Sequence, residues 1–186
     1  MSKKHLYLLG LVTLLVFPLP SYFFLQAMEG LDLKEFLQLD HIKTIPVSYG
    51  ILFGIFYAYF ALIILRAQVF QELPLQIDKL VKDLKLNYLD ALFLSLCAGI
   101  GEELLFRSGV QHYLGIIATS ILFVAIHGYI GFKNVKMSLY GIVVLPFILL
   151  ISIGFDHFGL WFSISAHFSY DLTLFIAMIN EGRNDQ

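Results

Sequence analysis

The chain has 186 residues, of which 59% are apolar and only 14% charged, and its mean hydropathy is +0.80. A soluble domain carries roughly 25% charged residues, so this composition excludes an ordinary soluble protein and predicts extensive contact with lipid. The net charge of −2 provides no basic surface, and we therefore exclude nucleic acid as a partner. We expect residues 1–186 to form a single integral-membrane domain.

Six segments are apolar enough to be membrane-spanning helices, since a bilayer core of ~30 Å requires about 20 residues. Pro18 and Pro20 predict a kink in the first segment. That segment is longer than the apolar core of a signal peptide and no A-x-A site follows it, so we expect it to be retained. The predicted fold class is therefore all-α, a polytopic transmembrane helix bundle. The approximate bounds of the six segments are 5–28, 45–67, 88–112, 115–131, 136–154 and 158–180.

The distribution of lysine and arginine predicts that both termini are cytoplasmic. With that orientation, three basic residues lie on the outer side, namely Lys34, Lys43 and Arg107. The inner connection 68–87 is rich in leucine and charge, and it predicts either an amphipathic helix on the membrane surface or a solvated loop. Nine basic residues lie on the inner side: Lys3, Lys4, Arg66, Lys79, Lys82, Lys85, Lys133, Lys136 and Arg183.

Ionisable side chains on three different segments fall at a similar depth. If the third and fourth segments form a hairpin that turns near 113–115, Glu102 and His127 each lie about a dozen residues from the turn, or roughly 18 Å. His167 reaches roughly 14 Å in the sixth segment, and Asp171 follows one turn deeper on the same face. An isolated charge within a bilayer costs several kcal/mol, so we expect these four groups to face one another or a water-filled cavity.

The stretch GEELLFRSG holds a second carboxylate and an arginine beside Glu102. Glu103 and Arg107 are four residues apart in the favourable order, so we expect an ion pair that holds Glu103 in place. Glu102 points about 100° away from Glu103 around the helix, which leaves it free to face the cavity.

A carboxylate beside two imidazoles suits the activation of water. Burial raises the basicity of a carboxylate, and histidine donates hydrogen bonds to an oxyanion. Two histidines with a carboxylate also form a plausible zinc site, with water in the open position. The chain contains neither HExxH nor GxSxG, so local sequence supports neither a zincin helix nor a serine nucleophile.

Three motifs in this chain together resemble a known family. EELLFR at 102–107 fits EExxxR, FVAIH at 123–127 fits FxxxH, and HFSYD at 167–171 is similar to HxxxN. In this order on successive apolar helices, they resemble the CAAX protease and bacteriocin-processing family, also called Abi, over about 88–175. Members of this family are multi-spanning intramembrane endopeptidases. The motif-bearing core is expected at about 88–180.

The resemblance implies a catalytic role for each matched position. Glu102 would be the general base that activates the hydrolytic water, and His127 would help to hold that water. His167 would stabilise the oxyanion. Glu103 and Arg107 would complete the site.

Asp171 departs from the family pattern, because the corresponding position is usually asparagine. An asparagine amide donates a hydrogen bond, whereas an ionised aspartate does not. Asp171 must therefore be protonated, accept a hydrogen bond from water or histidine, or bind a metal. We favour metal-independent glutamate chemistry without a cofactor over a divalent metal such as zinc.

The function predicted from the sequence is hydrolysis of a peptide bond near the hydrophobic or lipidated end of a membrane-associated protein or peptide. The expected location is a bacterial inner (plasma) membrane, in direct contact with the lipid bilayer. Two alternatives use the same residues differently: a non-catalytic immunity or partner protein on this scaffold, and a small proton-coupled transporter. The sequence shows no inverted repeat of the kind that many transporters contain.

Overall fold

The structure, a computed structural model, describes residues 2–65, 76–129 and 135–184, except for the side chains of 76–78, 135–137 and 183–184. Every regular element in these ranges is helical, which confirms the predicted all-α polytopic bundle. A one-turn 3-10 helix follows α3, and a π-helix, Leu104–Val110, joins α6 to α7. The α-helices are α1 (Lys3–Leu15), α2 (Pro18–Glu29), α3 (Leu33–Phe36), α4 (Thr44–Leu65), α5 (Gln76–Asp83), α6 (Tyr88–Glu103), α7 (Gln111–Ile126), α8 (Val135–Phe158) and α9 (Leu160–Asn184).

The structure divides the six predicted segments differently along the chain. Among the described residues, five helical segments are long and apolar enough to cross a membrane. The third of these, Tyr88–Ile126, contains the predicted third segment and residues 115–126 of the fourth. The first contains the predicted proline break, since α1 ends at Leu15 and α2 begins at Pro18. The five segments are Lys3–Glu29, Thr44–Leu65, Tyr88–Ile126, Ser138–Phe158 and Leu160–Gly182.

Gly115 is the turn of the predicted hairpin. Its φ of 71° and ψ of 175° are not helical, and a residue with a Cβ rarely adopts them. The rings of Phe106 and Phe123, on either side of Gly115, lie 4.9 Å apart, so the chain reverses direction there. The returning limb, 116–126, is about 16 Å long, which is too short to cross a bilayer core alone. The described part of the fourth predicted segment is therefore the second limb of a hairpin within Tyr88–Ile126, and the reversal at Gly115 is consistent with both termini at one face.

Both termini lie at the same face of the bundle, in agreement with the predicted topology. Lys3 near the N-terminus pairs with Asp90 in the first turn of α6, with Nζ and Oδ2 2.6 Å apart. Tyr88 donates a hydrogen bond to Asn180 near the end of α9, at 2.6 Å. At the opposite face, the indole of Trp161 at the start of α9 donates to the Leu37 carbonyl. Placement of the terminal face in the cytoplasm stays a prediction.

Small residues allow α4 and α9 to pack closely. Gly50 and Gly54 of α4 face α9 so closely that a Cβ at Gly54 would lie 2.2 Å from the Ala166 carbonyl oxygen. Tyr57 on the same helix donates to the carbonyl of Val143 in α8 at 2.9 Å. Because α9 carries two of the predicted site residues, this contact fixes their position against the rest of the bundle.

The predicted surface helix at 68–87 is present in part. α5 occupies Gln76–Asp83, and its Val81 is buried against the end of α9. Positions 68–75 lie outside the described residues, as do Arg66 and Lys133 from the predicted set of inner basic residues.

Candidate active site

Glu102 and His127 meet across the hairpin, as the depth argument predicts. His127 Nε2 lies 3.5 Å from Glu102 Oε2, at the outer limit of a direct hydrogen bond. The other ring nitrogen, Nδ1, donates to the Phe123 carbonyl at 2.7 Å, which fixes the ring orientation. The Phe123 ring also stacks on the imidazole, with 4.4 Å between centroids. The two site side chains are partly accessible, with 14% of Glu102 and 29% of His127 exposed.

Glu103 has a different environment from its neighbour Glu102. Its side chain is fully buried and each carboxylate oxygen has a partner. Arg107 Nε donates to Oε2 at 2.8 Å, and His167 Nδ1 donates to Oε1 at 2.9 Å. The predicted Glu103–Arg107 ion pair is therefore present, and it also anchors the imidazole of a second helix. Since both of its oxygens are engaged, Glu103 is a weaker candidate for the base than Glu102.

Arg107 is held by a second set of polar groups on its outer side. Its Nη1 donates to Ser152 Oγ at 2.8 Å and approaches Gln111 Oε1 at 3.5 Å. Gln111 in turn donates to Asp156 Oδ1 at 3.0 Å. Arg107 is fully buried, so it does not provide the outer positive charge counted in the orientation argument.

The segment that carries Arg107 is a π-helix and not the ordinary α-helix expected from the sequence. The amide N–H of Gln111 bonds to the carbonyl of Phe106, five residues earlier. Wide turns of this kind are frequent at functional sites. Here the π-helix begins directly after Glu103 and leads into the Gly115 hairpin.

Asp171 lies beside the second imidazole. Its Oδ2 is 3.5 Å from His167 Nε2, so His167 stands between two carboxylates, Glu103 at Nδ1 and Asp171 at Nε2. His167 is almost fully buried, whereas 24% of the Asp171 side chain is exposed. The structure thus gives Asp171 one of the environments predicted for it, next to a histidine that donates to it when doubly protonated.

These groups share one cavity of about 310 Å³. Glu102, His127, His167 and Asp171 all line it, which is the convergence expected from the sequence. The cavity also has apolar walls that extend toward the face holding both termini. Those walls include Leu6 and Leu9 of α1, Leu80 of α5, Leu94 of α6 and Phe175 of α9.

The described imidazoles and carboxylates of the site pair with one another. Within the ranges that the structure describes, no group of three or more histidine, cysteine, aspartate or glutamate side chains is placed to hold a metal ion. The two imidazoles instead meet different carboxylates, His127 with Glu102 and His167 with Glu103 and Asp171.

Residues 84–173 match a family model described as type II CAAX prenyl endopeptidase Rce1-like. Over these residues the chain is similar to this family. The matched region contains all six predicted site residues and confirms the resemblance read from the three motifs. Neither curated proteins nor solved structures gave a match.

Similarity to the Rce1-like model supports a general class for the molecule. The model describes CAAX-type intramembrane peptidases, which act on membrane-associated proteins, and the apolar helices of this chain support a multi-pass membrane protein. This class agrees with a polar cluster enclosed by apolar helices.

Proposed function

We propose that this Rce1-like protein hydrolyses a peptide bond near the hydrophobic or lipidated end of a membrane-associated protein or peptide, using water activated by Glu102. The observation that carries the proposal is the shared cavity, in which Glu102, two imidazoles and Asp171 lie at one end of an apolar cleft. A substrate tail lying against Leu94 and Phe175 would bring its adjoining peptide bond to the polar end.

The reaction follows from the position of each group. Glu102 takes a proton from a water bound beside its carboxylate and His127 Nε2, and the water oxygen bonds to the scissile carbonyl carbon. The carbonyl oxygen becomes an oxyanion, which His167 Nε2 stabilises as a donor. Glu102 then passes the proton to the leaving nitrogen as the C–N bond breaks.

Glu103 and Arg107 serve as positioning residues in this scheme. The carboxylate of Glu103 binds His167 Nδ1 and so directs Nε2 into the cavity. Arg107 neutralises Glu103 and holds it, since its Nε and the acceptor oxygen are 2.8 Å apart. A metal is not required for any of these steps, which is why we prefer glutamate chemistry.

Cleavage of matched peptides by the protein in lipid vesicles tests the proposal. One peptide ends in an apolar or prenylated tail, and its partner has the same sequence with a polar tail. We expect the apolar tail to raise kcat/KM about ten-fold or more, because burial of two methylene groups at ~0.8 kcal/mol each already gives that factor. Equal cleavage of both peptides, or cleavage of neither, would contradict the proposal.

Two controls separate the reaction from other hydrolysis. Asp40→Asn alters an exposed carboxylate outside the cavity and should cleave like the unmodified protein. Treatment with EDTA or 1,10-phenanthroline should also leave the rate unchanged. Loss of activity that zinc restores would instead show a metal-dependent peptidase.

A further inference from the structure

The oxyanion site of the proposed reaction has one donor fewer than the family motif provides. The position usually held by asparagine is Asp171, and an aspartate carboxylate accepts hydrogen bonds but, when ionised, does not donate them. It also lies 3.5 Å from Nε2 of His167, the donor assigned to the oxyanion, and so competes for the same proton. Another neutral donor in the cavity would compensate for this substitution.

Tyr129 is brought to the cavity by the end of α7. Gly128, with φ 76°, ends the helix; its N–H bonds to the Ala125 carbonyl and the N–H of Tyr129 bonds to the Val124 carbonyl. This pair of bonds is a Schellman cap, which turns the chain sharply after His127. The tyrosine is therefore folded back beneath the histidine instead of continuing along the helix axis.

The Tyr129 ring is packed on both sides. It stacks against His127 with 5.9 Å between centroids and an interplanar angle of 17°, and it meets Tyr140 edge-on at 4.8 Å. On α8, Gly141 permits close approach, since a Cβ there would lie 2.6 Å from the Tyr129 carbonyl oxygen. The ring lines the same cavity as Glu102 and Asp171.

The hydroxyl of Tyr129 stays protonated in this position. Burial raises the pKa of Tyr129 to about 12, and the carboxylates of Asp171 and Glu102 add to the rise. At neutral pH the side chain is therefore a hydrogen-bond donor within a cavity that also holds two carboxylates.

We propose that Tyr129 donates a hydrogen bond to the oxyanion and supplies the donor that Asp171 does not. This inference rests on the proposed peptidase function, because the oxyanion forms only during that reaction. It predicts that the effects of changes at Tyr129 and Asp171 are coupled. Loss of the Tyr129 hydroxyl should lower kcat more when position 171 is aspartate than when it is asparagine.

Kinetics of Tyr129→Phe tests the inference, since the change removes the hydroxyl and keeps the ring. We expect kcat to fall about 10²–10³-fold with KM little changed, which is typical for loss of one oxyanion donor. Tyr59→Phe is the matched control, because Tyr59 is 60% exposed on α4 and should retain full activity. In the Asp171→Asn background, the same Tyr129→Phe change should cost less than ten-fold. A Tyr129→Phe rate equal to that of Tyr59→Phe, or an equal loss in both backgrounds, would overturn the inference.

A second measurement does not depend on the stability of the phenylalanine variant. Incorporation of 3,5-difluorotyrosine at position 129 lowers the pKa of the hydroxyl and preserves its shape. The modified protein should lose activity as rising pH ionises the fluorinated ring, whereas the unmodified protein should show no such loss in that range. Identical pH profiles would overturn the inference, and absence of cleavage by the unmodified protein would instead remove the peptidase function itself.

Discussion

Glu102→Gln is expected to lower kcat by about 10²–10⁴-fold, the usual contribution of a general base. Glutamine has nearly the same shape as glutamate and accepts no proton from water, so substrate binding should persist while hydrolysis stops. Glu102 is a better candidate than Glu103 because it lines the cavity and because neither of its oxygens is held by Arg107. Rates of peptide cleavage in vesicles give kcat and KM for each protein.

The control for this change is Asp40→Asn, which removes an exposed carboxylate and should leave kcat unaltered. If Glu102→Gln cleaved the peptide at the rate of the unmodified protein, Glu102 would not be the base and the proposed mechanism would be wrong.

Arg107→Met is expected to destabilise the protein by about 3–5 kcal/mol, because it leaves the buried Glu103 carboxylate without its cationic partner. Unfolding in mixed micelles measures this loss. Arg107 also donates to Ser152, so the change removes a link between the π-helix and α8.

The double variant Glu103→Gln with Arg107→Met separates stability from catalysis. It removes both charges of the buried pair and should recover most of the lost stability. Activity should stay low, because the group that accepts from His167 Nδ1 is no longer a carboxylate. Recovery of full activity together with stability would show that Glu103 does not position the imidazole.

Much of the site could be predicted from the sequence because helix geometry is regular. Equal spacing of Glu102 and His127 from a glycine turn predicted their meeting, and the atoms lie 3.5 Å apart. The i,i+4 spacing likewise predicted the Glu103–Arg107 pair. Both contacts depend only on the rise and periodicity of helices close to the Gly115 turn, which the sequence spacing gives.

Contacts between helices that are distant in sequence could not be predicted in the same way. The bond from His167 to Glu103 depends on how α9 is rotated against α6, which periodicity alone does not fix. The π-helix was missed because its wider turns leave no distinctive residue pattern. For Tyr129 a signal was present, since glycine directly after a helix-ending histidine is typical of a Schellman cap.

The central claim is that the scissile peptide bond is held in the cavity shared by Glu102, His127 and His167. Photo-crosslinking tests this directly. The peptide carries a diazirine at the residue before the scissile bond, and the Glu102→Gln protein is used so that the peptide is bound but not cleaved. We predict crosslinks to residues that line this cavity, including Tyr129 and Asp171. Crosslinks confined to the lipid-facing surface of α4, or to a second pocket that Leu25, Glu29 and Gln111 line, would contradict this claim.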